Sequence, residues 1–253
     1  MNRCCKGVIL AAGLLTCLAA APALADDSFA SATEAVRQCG VSGTLLDDLA
    51  ARVTRGEVDQ AVVEKLLVPL LEVCADKLPT SPLEDKLAEG LAKSVPPERI
   101  VPVLSRRAVL LVVARNLLLK ERGEASKNAV SLLGEGLDSG VPKTDFLSYL
   151  KEFGKQPEAD FLIGLAMVSY QGQVGFPVDL TLDIIRQGGA GKSLSEGWRY
   201  LVRIIIAARS RGVDDPTVAR AAREALRNGE PVTGVVTRLG FTGRSLSGVS
   251  DNQ

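Results

Sequence analysis

The chain has 253 residues, with 30 basic and 30 acidic side chains and no histidine. The missing imidazole removes the usual general base, so Ser-His-Asp and Cys-His catalysis are both excluded. The charges alternate in sign along the chain instead of gathering into a basic excess, so no nucleic-acid partner is expected.

The first residues run Arg3 and Lys6, an apolar stretch over 8–20, then Pro22 and the small-residue site Ala23-Leu24-Ala25 ahead of Asp26 and Asp27. This is the order of a cleavable secretory signal peptide over 1–25, with a working chain that starts near Asp26 in the periplasm or outside the cell. Two alternatives stand beside simple cleavage: a retained membrane anchor, and lipoprotein processing at Cys17, where Thr16 departs from the usual small residue. Cleavage would remove both of those basic residues and no acid, leaving a slightly acidic chain. It would also remove Cys4, Cys5 and Cys17, so that Cys39 and Cys74 remain. In an oxidising compartment the simplest fate of two cysteines is one disulfide, the alternative being a pair of buried thiols. Two thiolates without histidine fall short of the usual four ligands of a metal site.

Over 26–240 the apolar residues recur at helical spacing. Val62, Leu66, Leu70 and Val73 form one stripe, crossed by Pro69, which is expected to kink that helix or begin a new one. Leu83, Leu87 and Leu91 form another, and Phe146, Tyr149, Leu150 and Phe153 a third. Ser42 is placed to cap a helix reaching Thr54, and Asp214-Asp215-Pro216 opens one that Gly229 closes. In that helix Ala219, Ala221, Ala222 and Ala225 offer small side chains for close packing. Residues 110–114 are apolar all round, which reads as a central buried helix. Arg106, Arg107 and Arg115 flank it too closely for a membrane span. No stretch alternates with period two. The fold class is therefore all-α, and the segment 241–253 reads as a flexible tail.

The chain also echoes itself. Glu89-Gly90-Leu91-Ala92-Lys93-Ser94-Val95-Pro96 aligns without gaps on Glu135-Gly136-Leu137-Asp138-Ser139-Gly140-Val141-Pro142, and more loosely on residues 224–231. Residues 172–177 and Arg55-Gly56-Glu57-Val58 look like degenerate versions. Junctions at such intervals suit stacked helical hairpins in the manner of a divergent α-solenoid, the alternative being an irregular helical bundle. The stretch from Glu89 through Pro96, with Pro97-Glu98-Arg99-Ile100, resembles hairpin turns of uncharacterised secreted bacterial α-helical proteins. The resemblance implies helices and export, and no activity.

Few segments invite a chemical reading. Gly188-Gly189-Ala190-Gly191-Lys192-Ser193 suggests a phosphate-binding loop, but Arg186 stands where that motif needs its first glycine, and the preceding Asp179-Leu180-Thr181-Leu182-Asp183-Ile184-Ile185 reads as a helix, not a strand. The segment also aligns on Glu89 through Ser94 with Gly191 inserted, so a hairpin junction explains it. Carboxylates that could act as acid and base include Glu152, Glu158, Asp160, Asp179, Asp183 and Glu196, and none stands out by spacing. Trp198 and Tyr200 beside Glu196 are the best aromatic cluster, read mainly as core and rim of a helix. Arg199, Arg203, Arg209 and Arg211 form a face for an anionic partner or a lipid headgroup, or a solvated face balanced by Asp214, Asp215 and Glu224. The sequence names no catalytic, cofactor-binding or metal residue. The expected function is a non-enzymatic envelope scaffold that binds another macromolecule through its surface. A carrier of lipid or another apolar ligand is the alternative, and a carboxylate-based envelope enzyme the third.

Overall fold

The computed structural model describes residues 23–241, and these form twelve α-helices, one 3₁₀ turn and no strand. The first helices are α1 (Ala23–Gln38), α2 (Gly43–Thr54), α3 (Gln60–Ala75) and α4 (Ser81–Ala92). The long α5 (Pro97–Arg122) follows, then α6 (Lys127–Asp138), α7 (Lys143–Phe153), α8 (Glu158–Gln173) and α9 (Val178–Gly191). The 3₁₀ turn Glu196–Tyr200 leads into α10 (Leu201–Arg209), α11 (Asp215–Arg227) and α12 (Thr233–Arg238). The fold is all-α. Most of the expected signal peptide and the tail after Phe241 lie outside the described residues, and α1 begins at Ala23, within the expected cleavage site.

The echoed junctions share one backbone geometry. The Val95 amide donates to the Gly90 carbonyl, Val141 to Gly136, Phe176 to Gln171 and Glu230 to Ala225, at 2.9–3.0 Å. In each, the residue before the donor has positive φ: Ser94, Gly140, Gly175 and Gly229. This is the Schellman cap, which satisfies helix-end carbonyls by turning one residue left-handed, and it explains why glycine recurs there. Pro96, Pro142 and Pro177 then sit just before the next helix, where a fixed φ and a missing N–H cost nothing.

Packing follows these turns. Helices two apart lie against each other, α1 on α3, α3 on α5, α6 on α8 and α9 on α11, in addition to the neighbours α4 with α5 and α5 with α6. Helix lengths run from 6 to 26 residues, so the hairpins are not uniform units. One hydrophobic core runs through the helices, from Val36 to Val236. Cys39, just after α1, and Cys74, in the last turn of α3, lie at disulfide distance with Cα atoms 5.7 Å apart.

Two local expectations are corrected, and a third, the kink or new helix at Pro69, is narrowed to a helix that does not restart. Helix α3 continues through Pro69 without restarting. An internal proline costs about 3 kcal/mol. Leu66, Leu67 and Leu70 are fully buried around it, and burial of each contributes roughly 1.5–3 kcal/mol, so packing outweighs the break. Ser42 stands at the start of α2, but its hydroxyl meets Thr44 Oγ1 at 2.7 Å instead of capping a backbone amide, and its own N–H donates to Glu84. Helix α5 is central without being buried all round: Leu111 and Ala114 are covered, Leu110, Val112 and Val113 are half-buried, and Val109 is 61% exposed.

Candidate interaction surface

The 3₁₀ turn is pinned by Trp198, whose side chain is fully buried in the core. Its neighbours therefore point outward: Tyr200 is 41% exposed, unusual for a large aromatic side chain. The Arg199 guanidinium lies over the Tyr200 ring at 4.9 Å and also donates to the phenol oxygen at 2.8 Å. From the first turn of α10, Arg203 approaches the same ring at 5.1 Å. Glu196, one turn before Arg199, pairs with it at 3.0 Å. Tyr170 of α8 borders the group: burial raises its phenol above the ordinary range, Glu135 adds to the rise and Arg199 opposes it. The hydrogen bond to Tyr200 raises the already high pKa of Arg199, so that guanidinium stays charged at any physiological pH. The result is an amphipathic aromatic platform with two cations against its ring, tyrosine and arginine being residue types enriched at binding hot spots.

The four-arginine face expected from the sequence is divided. Arg209 is committed to Asp215 at 2.7 Å and to the carbonyls of Val174 and Gly175, closing the end of α8. Arg211 lies over Phe241 at 4.4 Å, Asp214 caps α11 through the Thr217 amide, and Glu224 pairs with Arg238. Only Arg199 and Arg203 share the tyrosine.

The candidate acids are each met by arginine where they have a partner. Glu152 and Asp183 converge on Arg186, and Asp183 also reaches Arg223 at 3.2 Å. Glu158 accepts from Arg122 and from the Ser126 hydroxyl. Asp179 and Asp183 share α9 as expected, yet a carboxylate clamped between two guanidiniums is a structural anchor more than a proton shuttle. Among the described residues no three His, Cys, Asp or Glu side chains gather as metal ligands. Two open depressions lie among the described residues, one along Ser42, Glu84 and Asp85, the other along Asp183, Arg186 and Arg223.

Residues 188–193 end α9 rather than begin a helix. The Lys192 amide donates to the Gly189 carbonyl and the Ser193 amide to that of Gly188, with Lys192 at φ +50°. The amides that would cradle a phosphate are spent on capping.

Arg122 was not distinguishable in the sequence, where it is one of three charges in a row at the end of α5. Its side chain is 5% exposed, stacks on Phe161 at 4.2 Å and donates to the carbonyls of Gly154 and Gln156 and to Glu158. It ties the end of α5 to the α7–α8 connection.

No protein-family model, curated protein or solved structure matches the chain. Among the described residues no helix is long and apolar enough to cross a membrane.

Proposed function

We propose that the protein is a non-enzymatic interaction module of an oxidising compartment outside the cytoplasm, periplasmic or secreted after cleavage near Ala25. It engages an anionic segment of another macromolecule through Arg199, Tyr200 and Arg203. The observation that carries this reading is the exposed Tyr200 ring with two guanidiniums against it, at 4.9 and 5.1 Å. Tyrosine and arginine supply much of the energy of protein interfaces, because each joins a large apolar area to directional hydrogen bonding at small entropic cost. The signal-like start and the Cys39–Cys74 pair support the compartment. Open depressions and arginine-clamped acids suit recognition over a surface better than enclosure of a ligand or proton transfer.

The test is crosslinking in the native cell. A protein partner should be retained by the parent chain, lost when Arg199→Glu and Arg203→Glu are combined, and kept by Glu152→Gln. Bound lipid at near one per chain with no protein partner would replace the module by a carrier. Retention of the partner by the charge-reversed chain would move the contact to another face.

A further inference from the structure

We propose that α5 forms an antiparallel, two-fold contact between two copies of this chain. The proposal is independent of the arginine-tyrosine face. Five large apolar side chains stand out as exposed among the described residues, and three of them lie on this helix, Val109 (61%) and Leu119 (47%) along one stripe and Val103 (38%) to the side of it. The uncovered face has a regular spacing. Pro102, Ser105, Val109, Val112, Asn116 and Leu119 follow one another at alternating intervals of three and four residues, and every one is exposed or half-buried. A 4-3 repeat is the stripe that lets one helix lie along another with a slight supercoil, and over these residues it is roughly 25 Å long. The opposite face of α5, with Ile100, Leu104, Ala108, Leu111, Ala114 and Leu118, is already buried in the chain's own core. The stripe is therefore left for a partner.

Charge selects a second copy and its direction. Glu98 is exposed at the first turn and makes no ion pair or hydrogen bond among the described residues. Lys120, in the last turn on the same side, is 76% exposed and meets only its neighbour Glu121 at 3.8 Å. A two-fold axis through Val109 places Glu98 of one copy opposite Lys120 of the other, twice by symmetry, and stacks Val109 on Val109. It also sets Pro102 against Asn116 and Ser105 against Val113. A parallel arrangement would put Glu98 on Glu98 and Lys120 on Lys120. The antiparallel one is complementary at both ends and apolar at the centre, as an isologous interface requires. A single-helix seam is small, so the dimer is expected to dissociate in the micromolar range.

Sedimentation equilibrium of the purified protein between about 1 and 500 µM tests it. The parent chain should show a monomer–dimer equilibrium. Val109→Asp should weaken it more than tenfold while leaving helix content and melting temperature unchanged, because that side chain is mostly in solvent. Glu98→Lys should weaken dimerisation about fivefold, as should Lys120→Glu, and combining the two should restore it, since two exposed ion pairs are exchanged for two like-charge contacts. A parent chain that stays monomeric throughout overturns the proposal and leaves the stripe to a different protein. A dimer indifferent to Val109→Asp places the contact elsewhere. A charge swap that fails to restore association overturns the antiparallel register.

Discussion

Thr181 and Gln171 hold the same positions at the α8–α9 turn that Phe146 and Gly136 hold at the α6–α7 turn and Ile100 and Gly90 at the α4–α5 turn. In each pair the second-named residue supplies the carbonyl that closes the Schellman cap, and the first-named stands four residues past the N-cap proline of the next helix. In two turns a glycine lets an apolar side chain pack against the backbone. In the third, the Thr181 hydroxyl donates to Gln171 Oε1 at 2.8 Å, and both side chains are fully buried.

That substitution of a polar pair for a glycine and an apolar residue predicts a coupling. Thr181→Val alone leaves the Gln171 carbonyl without its donor and should cost about 1–3 kcal/mol. Adding Gln171→Leu should recover most of the loss, because apolar groups of similar shape replace both partners. Urea unfolding of the two single variants and the double variant measures this. Additive losses would mean the hydrogen bond carries no coupling.

The glycine turns predict a graded response to a methyl group. At Gly136 an added Cβ would strike the Phe146 ring and come within 2.7 Å of Ser169 Oγ, both fixed in the core. At Gly90 it would meet the flexible end of Ile100 at 2.8 Å. Gly136→Ala should therefore cost about 1–3 kcal/mol and Gly90→Ala clearly less, read as melting temperatures. Equal losses at the two positions would contradict the packing described.

These junctions were the most legible part of the chain, because Gly at the left-handed position and Pro at the next helix start are local backbone requirements that residue identity reports directly. The all-α class was legible for a similar reason, through the repeated apolar stripes. Helix α5 was not: a run such as Leu110, Leu111, Val112, Val113 and Ala114 is apolar in every direction, and which side stays uncovered depends on where α3, α4 and α6 pack. Pro69 left a kink and a new helix both open, because its penalty is local whereas the burial that keeps α3 continuous is tertiary. At the surface site, Arg199 and Arg203 could be named from their one-turn spacing. Tyr170 and Glu135 could not, since they arrive from α8 and α6 with no sequence link to the 3₁₀ turn. Arg209 looked like a third member until its partners Asp215, Val174 and Gly175 were in place.

Arg122 predicts a large effect far from any surface site. Replacing it by Met removes the charge but strands the carbonyls of Gly154 and Gln156, and should cost roughly 3 kcal/mol or more. Arg122→Lys should rescue little, because a single ammonium cannot hold two carbonyls and a carboxylate at the angles of a planar guanidinium. Chemical denaturation of both variants decides it, and a Lys variant as stable as the parent would contradict the role assigned to the fork.

The Cys39–Cys74 pair predicts a bond detectable by mass. The protein purified from an oxidising compartment should be two hydrogens lighter than its reduced form, and the sequence separation of 35 residues gives a loop-entropy contribution of about 3–4 kcal/mol. Reduction, or Cys39→Ser with Cys74→Ser, should lower the unfolding midpoint accordingly. Two free thiols in the denatured, unreduced protein would remove the bond and with it one support for an oxidising compartment.

The account rests most heavily on Tyr200, exposed with Arg199 and Arg203 against its ring, as the centre of a binding surface. A photo-crosslinking phenylalanine analogue placed at position 200 in the native cell tests this directly, with the similarly exposed Val68 of α3 as the reference position. The account predicts a discrete adduct with another macromolecule from position 200 and none from position 68, and loss of the adduct when Arg199→Glu and Arg203→Glu are combined. No adduct from position 200, or one that survives the double charge reversal, would contradict it.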